Sequence, residues 1–485
     1  MSERAAGKPD ITEIRRTLEI FVAPGGVVEV RAVNVSRPSY LRSGHLGTVH
    51  SDGEDGILTD ERRSVGAIGR SDTMQKGLLL RCIMHLSTRK EKPMLHPHGA
   101  TFRVFVNRLR LPWNRYQKEN FLRLGAAFLK RRSLLVRRLA RTLAGTGASH
   151  RAADKRLRRF LGNPNLDRVA CDAAFAAHLQ FLLARLGAVP FVPVMVDWTF
   201  IAGRAILWAQ IPYRGRALPL LSFVQEFPMD AQEARRTDAE KELLTRLRAC
   251  WPAGAPAPLL LMDRGFDKGP LLSWLIAQQW RFIVRVQRGH YFYDAHGYLL
   301  NTLRDPEGNI LHQGVLQPEV GKVRLFRQVT YLQKERLPVH LAVTAIFDPR
   351  TSKVRAWRLV TNLAEEHLPR VAKLYGLRMS PEEVHRDAKR GYGVSGFGLS
   401  HLGRLRLDRL ERYLLMFSMI YGFLVLVAET EREAQQWLRE RHWGLSVVHF
   451  ALDHLATAGS AGVRIARRAC ASTRLLPAWP TGGDY

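Results

Sequence analysis

The stretch FVPVMVDWTFIAGRAILWAQIPYRGRALPLLSFVQEF, Phe191 to Phe227, decides the fold. Its first run is apolar on nearly every residue up to Asp197, as a strand buried on both faces would be. RAILWAQIPY and LPLLSFVQEF follow, joined by the turn RGRA, so three strands in a meander are expected. Downstream, MDAQEARRTDAEKELLTRLRACW has amphipathic helical spacing and PLLLMDRGF is a short buried strand ending at Asp263. DKGPLLSWLIAQQW then reads as a helix with Asp267 at its cap, and RFIVRVQRG as a fifth strand.

Three antiparallel strands, helix, strand, helix, strand is an order that resembles a ribonuclease-H-like core, an α/β mixed sheet flanked by helices. The core is expected over residues 186–287 and 362–430. Between them, 288–361 changes to short β-type runs such as KVRLFRQVTYL and VHLAVTAIF, which predicts an all-β insertion domain. Residues 101–185 form a helical basic region, 431–485 a C-terminal helical tail, and 1–100 an atypical extension of glycine-rich and acidic turn segments, fused or poorly ordered. YLLMFSMIYGFLVLVA, Tyr413 to Ala428, falls short of the ~20 residues of a bilayer span, so a buried core helix is expected and no membrane.

The formal net charge of +30 calls for a polyanionic partner, because each Lys or Arg set on a phosphate releases a condensed counterion. Between Thr101 and Ala170 there are 18 Lys or Arg against 3 Asp or Glu, half the excess of the whole chain. Within it, FLKRRSLLVRRLARTLAG reads as an amphipathic helix whose Arg131, Arg132, Arg137 and Arg138 would meet phosphate. A membrane surface attracts the same pattern, but nothing else in the chain supports lipid, so double-stranded DNA is favoured over it. The four cysteines are far apart, without metal-site spacing, and no apolar core behind a basic tip opens the chain, so a cytoplasmic, nucleoid-associated location is expected.

Two aspartates, Asp197 and Asp263, stand at the ends of buried strands, where an unpaired charge costs several kcal/mol unless a partner or a metal offsets it. A third acid lies in YGLRMSPEEVHRDAK, Tyr375 to Lys389. SPEE reads as an N-cap, a proline at the first helical position and a capping-box Glu383, which leaves Glu382 free for a metal and Asp387 as a solvated bystander. Three hard oxygen ligands suit Mg²⁺ or Mn²⁺.

Tyr375, Arg378, Glu382 and Lys389, separated by two, three and six residues, reproduce a signature of the bacterial insertion-sequence-4-type DDE transposases. RLRRFLGNPNLD and LDRLERYLLMFSMIYGFLVL are also similar to blocks of that family, so the resemblance runs from about Thr101 to near Ala458. It implies Asp197, Asp263 and Glu382 as catalytic metal ligands, and cleavage at transposon ends followed by strand transfer through a DNA hairpin. Under it Arg378 and Lys389 fix phosphates, Tyr375 hydrogen-bonds one, and Trp357 either stacks on a flipped base or is a core aromatic. A homodimer on DNA is implied too. The alternatives are a metal-dependent endonuclease and a silent remnant that only binds DNA.

Overall fold

The computed structural model describes residues 16–22, 28–34 and 97–472, except 145–148, 188, 202, 214–215, 228–232, 288–289, 301–302, 305–309, 313–319, 349–351, 380–383, 386, 389–396, 403 and 432–446. Contacts divide the chain into two units, Met1–Thr88 and Arg89–Tyr485. In the first, β1 (Arg16–Val22) pairs antiparallel with β2 (Val28–Asn34), Arg16 opposite Asn34.

The second unit opens with α1 (Pro97–Leu109), α2 (Arg115–Arg131), α3 (Val136–Ala144), α4 (His150–Leu161) and α5 (Arg168–Leu183). Three of them start at side chains that satisfy free N–H groups. Asn114 and Gln117 form a reciprocal capping box on α2, Ser149 caps α4 and Asp167 caps α5. The single basic helix expected through FLKRRSLLVRRLARTLAG is instead two helices. Arg132 turns left-handed at φ 51°, and the link after it is tied to the core: Leu134 N–H donates to Phe397 O at 2.8 Å, and the Tyr413 hydroxyl donates to Leu134 O at 2.5 Å. Those bonds satisfy a backbone that a continuous helix would have paired internally.

The expected meander is present: β3 (Phe191–Ile201), β4 (Arg204–Tyr213) and β5 (Arg216–Glu226) pair antiparallel. The chain then crosses through α6 (Glu233–Ala249) to β6 (Ala257–Met262), which lies parallel to β3, and through α7 (Gly269–Ala277) to β7 (Arg281–Arg285), parallel to β6. After β7 come β8 (Phe292–Tyr293), β9 (Leu303–Arg304), β10 (Ile310–His312), β11 (Arg324–Tyr331), β12 (Leu337–Asp348) and β13 (Lys353–Thr361). The result is a nine-stranded mixed sheet in the order β5-β4-β3-β6-β7-β13-β12-β11-β8. Four strands of the β-rich stretch thus extend the central sheet, because β13 hydrogen-bonds directly to β7, with Val360 opposite Val284.

A short α8 (Val371–Gly376) precedes α9 (Leu407–Thr430), and α10 (Val447–Thr457) and α11 (Gly462–Ser472) follow. Every residue of α9 from Tyr413 to Ala428 is buried, so its apolar length serves the protein core. Helix α9 lies over one face of the sheet, where Phe417 meets Trp208 of β4, while α6 covers the other face, where Glu240 accepts from the Trp198 indole at 2.9 Å. The α1 side of the helical region joins α9 through Phe102 and Phe105, whose rings both pack on Phe423.

Candidate active site

The register of the parallel pair β3–β6 brings the two aspartates together. Its last pairing is Val196 with Met262, and one residue beyond stand Asp197 and Asp263. Asp263 has left the ladder to cap the short turn Arg264–Phe266, accepting from Gly265 N–H at 2.8 Å. A Cβ at position 265 would come within 3.0 Å of that carboxylate oxygen and 3.1 Å of the Arg236 guanidinium, so a glycine is what the close approach admits. Arg378, in the 3₁₀ turn after α8, reaches both carboxylates with one nitrogen: Nη2 lies 3.2 Å from Asp197 Oδ1 and 3.2 Å from Asp263 Oδ2.

The electrostatics show which effect prevails. Burial pushes the Asp197 carboxyl up to about 6, and neighbouring Asp263 adds to the rise, against the lowering by Arg378 and by the Trp198 backbone bond. Desolvation outweighs the guanidinium, so the pair still favours positive charge between its oxygens. Both acids offer hard oxygen donors, which is the chemistry that Mg²⁺ or Mn²⁺ takes. Among the described residues no group of three or more His, Cys, Asp or Glu forms a metal cluster. Glu382 and Lys389, with Ser380 and Glu383, lie outside the described residues.

Tyr375 of α8 is buried, its ring edge-on to Trp357 of β13 with centroids 4.8 Å apart at 83°. Burial pushes the Tyr375 hydroxyl up to about 12, against the pull of Arg378 and Arg285. Trp357 is 5% exposed and sits in the core in this arrangement. Arg131, Arg137 and Arg138 are exposed on α2 and α3, whereas Arg132 forms an ion pair with Asp453 of α10 at 2.5 Å. The expected solvated Asp387 is instead 3% exposed and accepts from the Tyr421 hydroxyl at 3.0 Å, because its side of the chain meets α9. Asp267 does not cap α7 either; Lys268 stands at the N-cap, and its side chain makes no capping bond to the helix. The Asp267 carboxylate accepts from Tyr331 at 2.5 Å and from Gln287 N–H at 2.8 Å, and meets His290 at 3.0 Å.

These contacts fix the loop that carries Asp263. Asp267 is held toward β11, and Lys268 donates to the fully buried Glu240 at 2.9 and 3.0 Å. Glu240 also receives the Trp198 indole, so the residue beside Asp197 and the loop of Asp263 share one buried anchor on α6. Burial pushes the Glu240 carboxyl up, and Lys268 and Trp198 pull it back. On the Asp197 face, His385 places Nδ1 3.9 Å from Asp197 Oδ2 and Nε2 3.1 Å from Gln210 Nε2. Sequence reading missed Glu240, Lys268, Gln210 and His385; only His385, inside the quoted motif stretch, stood near a recognised signal.

Away from the carboxylates, α4 and the turn after it line a cleft of about 870 Å³ with Arg151, Lys155, Arg158, Arg159, Tyr116 and Arg409. Its single acid, Asp154, is paired with Arg158 at 2.7 Å.

No curated protein matches the chain. Among solved structures it is similar to a piggyBac transposase synaptic complex with hairpin DNA, seen by cryo-EM, at 12% identity over 78% of this chain and 83% of that one, with a TM-score of 0.33. The family model for the transposase DDE domain matches residues 194–421, a span that contains Asp197, Asp263 and Arg378. Residues 194–421 are accordingly a transposase DDE domain, and the chain that carries it is an enzyme of DDE transposase type, acting on DNA phosphodiesters by hydrolysis and transesterification.

Proposed function

We propose that this transposase is of the insertion-sequence-4 type, with a ribonuclease-H-like core, and that it cuts at the ends of its element through a DNA hairpin and joins the freed ends to target DNA. The observation that carries the reading is the convergence of Asp197 and Asp263 on one cationic nitrogen of Arg378 at 3.2 Å each. DDE transposases use divalent metal ions, and Asp197, Asp263 and Glu382 are the residues that would hold Mg²⁺ or Mn²⁺ here. When bound, such ions activate the attacking oxygen and stabilise the leaving oxygen of the phosphodiester.

The remaining work falls to the chain. Arg378 pairs with both carboxylates and would bind the scissile phosphate bidentately when it turns from them. Lys389 would add a point charge to the phosphate flank, and Tyr375 a hydroxyl. A flipped base would stack on Trp357 only after that ring leaves its edge contact with Tyr375. Arg131, Arg137 and Arg138 on α2 and α3, together with the α4 cleft, would follow the duplex backbone. A homodimer would hold the two ends, in a cytoplasmic, nucleoid-associated protein.

The test incubates purified protein with its element-end DNA and Mg²⁺, beside Asp197→Ala and Glu382→Gln. Hairpin and strand-transfer products from wild type alone are expected. Nicks without hairpins would make it an endonuclease, and identical products from all three would remove the metal site.

A further inference from the structure

On the face of the sheet that carries Asp197, strand alternation sets up a second group of polar side chains. Asp197 is directly opposite Trp208 in the β3–β4 ladder, and Gln210, two residues on, points the same way. The β4–β5 register shifts between Ala209 and Gln210, where Gln210 meets Pro219, whose nitrogen has no hydrogen to give the ladder. This bulge stands where Gln210 carries a fully buried amide up to the His385 ring.

The amide decides which imidazole nitrogen holds the proton. Gln210 Nε2 can only donate, so His385 Nε2 accepts and the ring proton sits on Nδ1, which faces Asp197 Oδ2 at 3.9 Å. The opposite amide orientation would put the proton on Nε2 and turn the Nδ1 lone pair toward a carboxylate. For a neutral ring that repulsion favours the first arrangement. Trp208, its ring 5.3 Å from the imidazole and tilted by 38°, limits rotation of the ring.

We propose that His385 is a positioning residue for Asp197: fixed in one tautomer by Gln210, it turns Nδ1–H toward Oδ2 across 3.9 Å, an electrostatic bias that leaves Oδ1 to a cation. The two oxygens already have different neighbours, since Oδ1 is the one at Arg378. In its neutral form the ring would orient the carboxylate without adding a charge that opposes a divalent ion. The inference rests on the reading of Asp197 as a metal ligand.

The experiment titrates Mn²⁺ into full-length protein without DNA by calorimetry, and measures kcat and KM on element-end DNA. His385→Leu is expected to weaken Mn²⁺ binding at least about tenfold and to lower kcat with KM for DNA unchanged. His385→Asn, whose amide nitrogen falls near the position of Nδ1, should restore most of both. Gln210→Leu, which touches neither carboxylate, should weaken Mn²⁺ to an intermediate degree. Wild-type Mn²⁺ affinity in His385→Leu, or in Gln210→Leu, overturns the proposal, as does an asparagine variant no better than leucine. Asp197→Ala in the same titration separates the two readings. If it keeps wild-type affinity, the metal site fails and the inference with it; if it loses Mn²⁺ while His385→Leu does not, the inference alone falls.

Discussion

The Asp197 carboxyl is pushed up to about 6 from 3.8 because loss of water around it outweighs the attraction of Arg378. A folded pKa above the unfolded one means that ionisation opposes folding. The contribution is favourable below pH 3.8, declines as pH rises through about 6, and is a standing cost at neutral pH. A rise of about two units corresponds to about 3 kcal/mol in the metal-free protein. Asp197→Asn keeps the shape and removes the charge, so it should abolish DNA cleavage and raise the melting temperature in EDTA at pH 7.5. The gap between variant and wild type should shrink at pH 4.5, where the native carboxyl is protonated. Equal melting temperatures at pH 7.5 would show that water or Arg378 satisfies Asp197 far better than its burial implies. This is the trade that active sites make, with stability given up where a ligand is to bind.

At the scale of elements, the close approach of α1 and α2 is set by Gly125, where a Cβ would overlap the Phe102 ring. Phe102 is fully buried among Phe105, Phe121 and Phe423, so it has nowhere to move. Gly125→Ala should destabilise the protein by about 1–3 kcal/mol through overpacking, read as a lower urea midpoint at unchanged slope. That glycine carries no sequence signal, unlike the strands β3 to β7, whose apolar runs and intervening helical spacing are plain in the sequence. Asp197 and Asp263 were legible for the same reason: acids closing buried strands stand out. What local pattern could not supply was pairing at a distance. Asp267 looked like a helix cap because its neighbours in sequence invite one, yet its partner Tyr331 is 64 residues away. Gln210 and His385 are 175 residues apart, and neither is unusual alone. Asp387 looked exposed because helical spacing says nothing of the later helix α9 that covers it. The extension of the central sheet by β13 likewise depends on hydrogen bonds between segments more than 70 residues apart.

For the whole molecule, the charge of +30 is an electrostatic statement about DNA, and the folded chain narrows where it acts. Arg151, Lys155, Arg158 and Arg159 follow helical spacing on α4, and Arg409 at the start of α9 joins them across the cleft. Arg137 and Arg138 on α3 are exposed as well, so two surfaces compete for the phosphates. They differ in shape: the α4 cleft is concave, with room to seat a backbone, which focuses the potential. Lys155→Glu with Arg159→Glu should therefore lower affinity for end DNA more than Arg137→Glu with Arg138→Glu. If each lost cation was on a phosphate, the slope of log K against log salt falls in magnitude by about 2 for the α4 pair, since each contact contributes roughly 0.9. Anisotropy titrations of labelled DNA from low to moderate salt read both quantities, and calorimetric Mn²⁺ binding, expected to stay unchanged, reports on the carboxylates. A slope that moves only in the α3 pair would shift the DNA path to that helix and leave the cleft without this role.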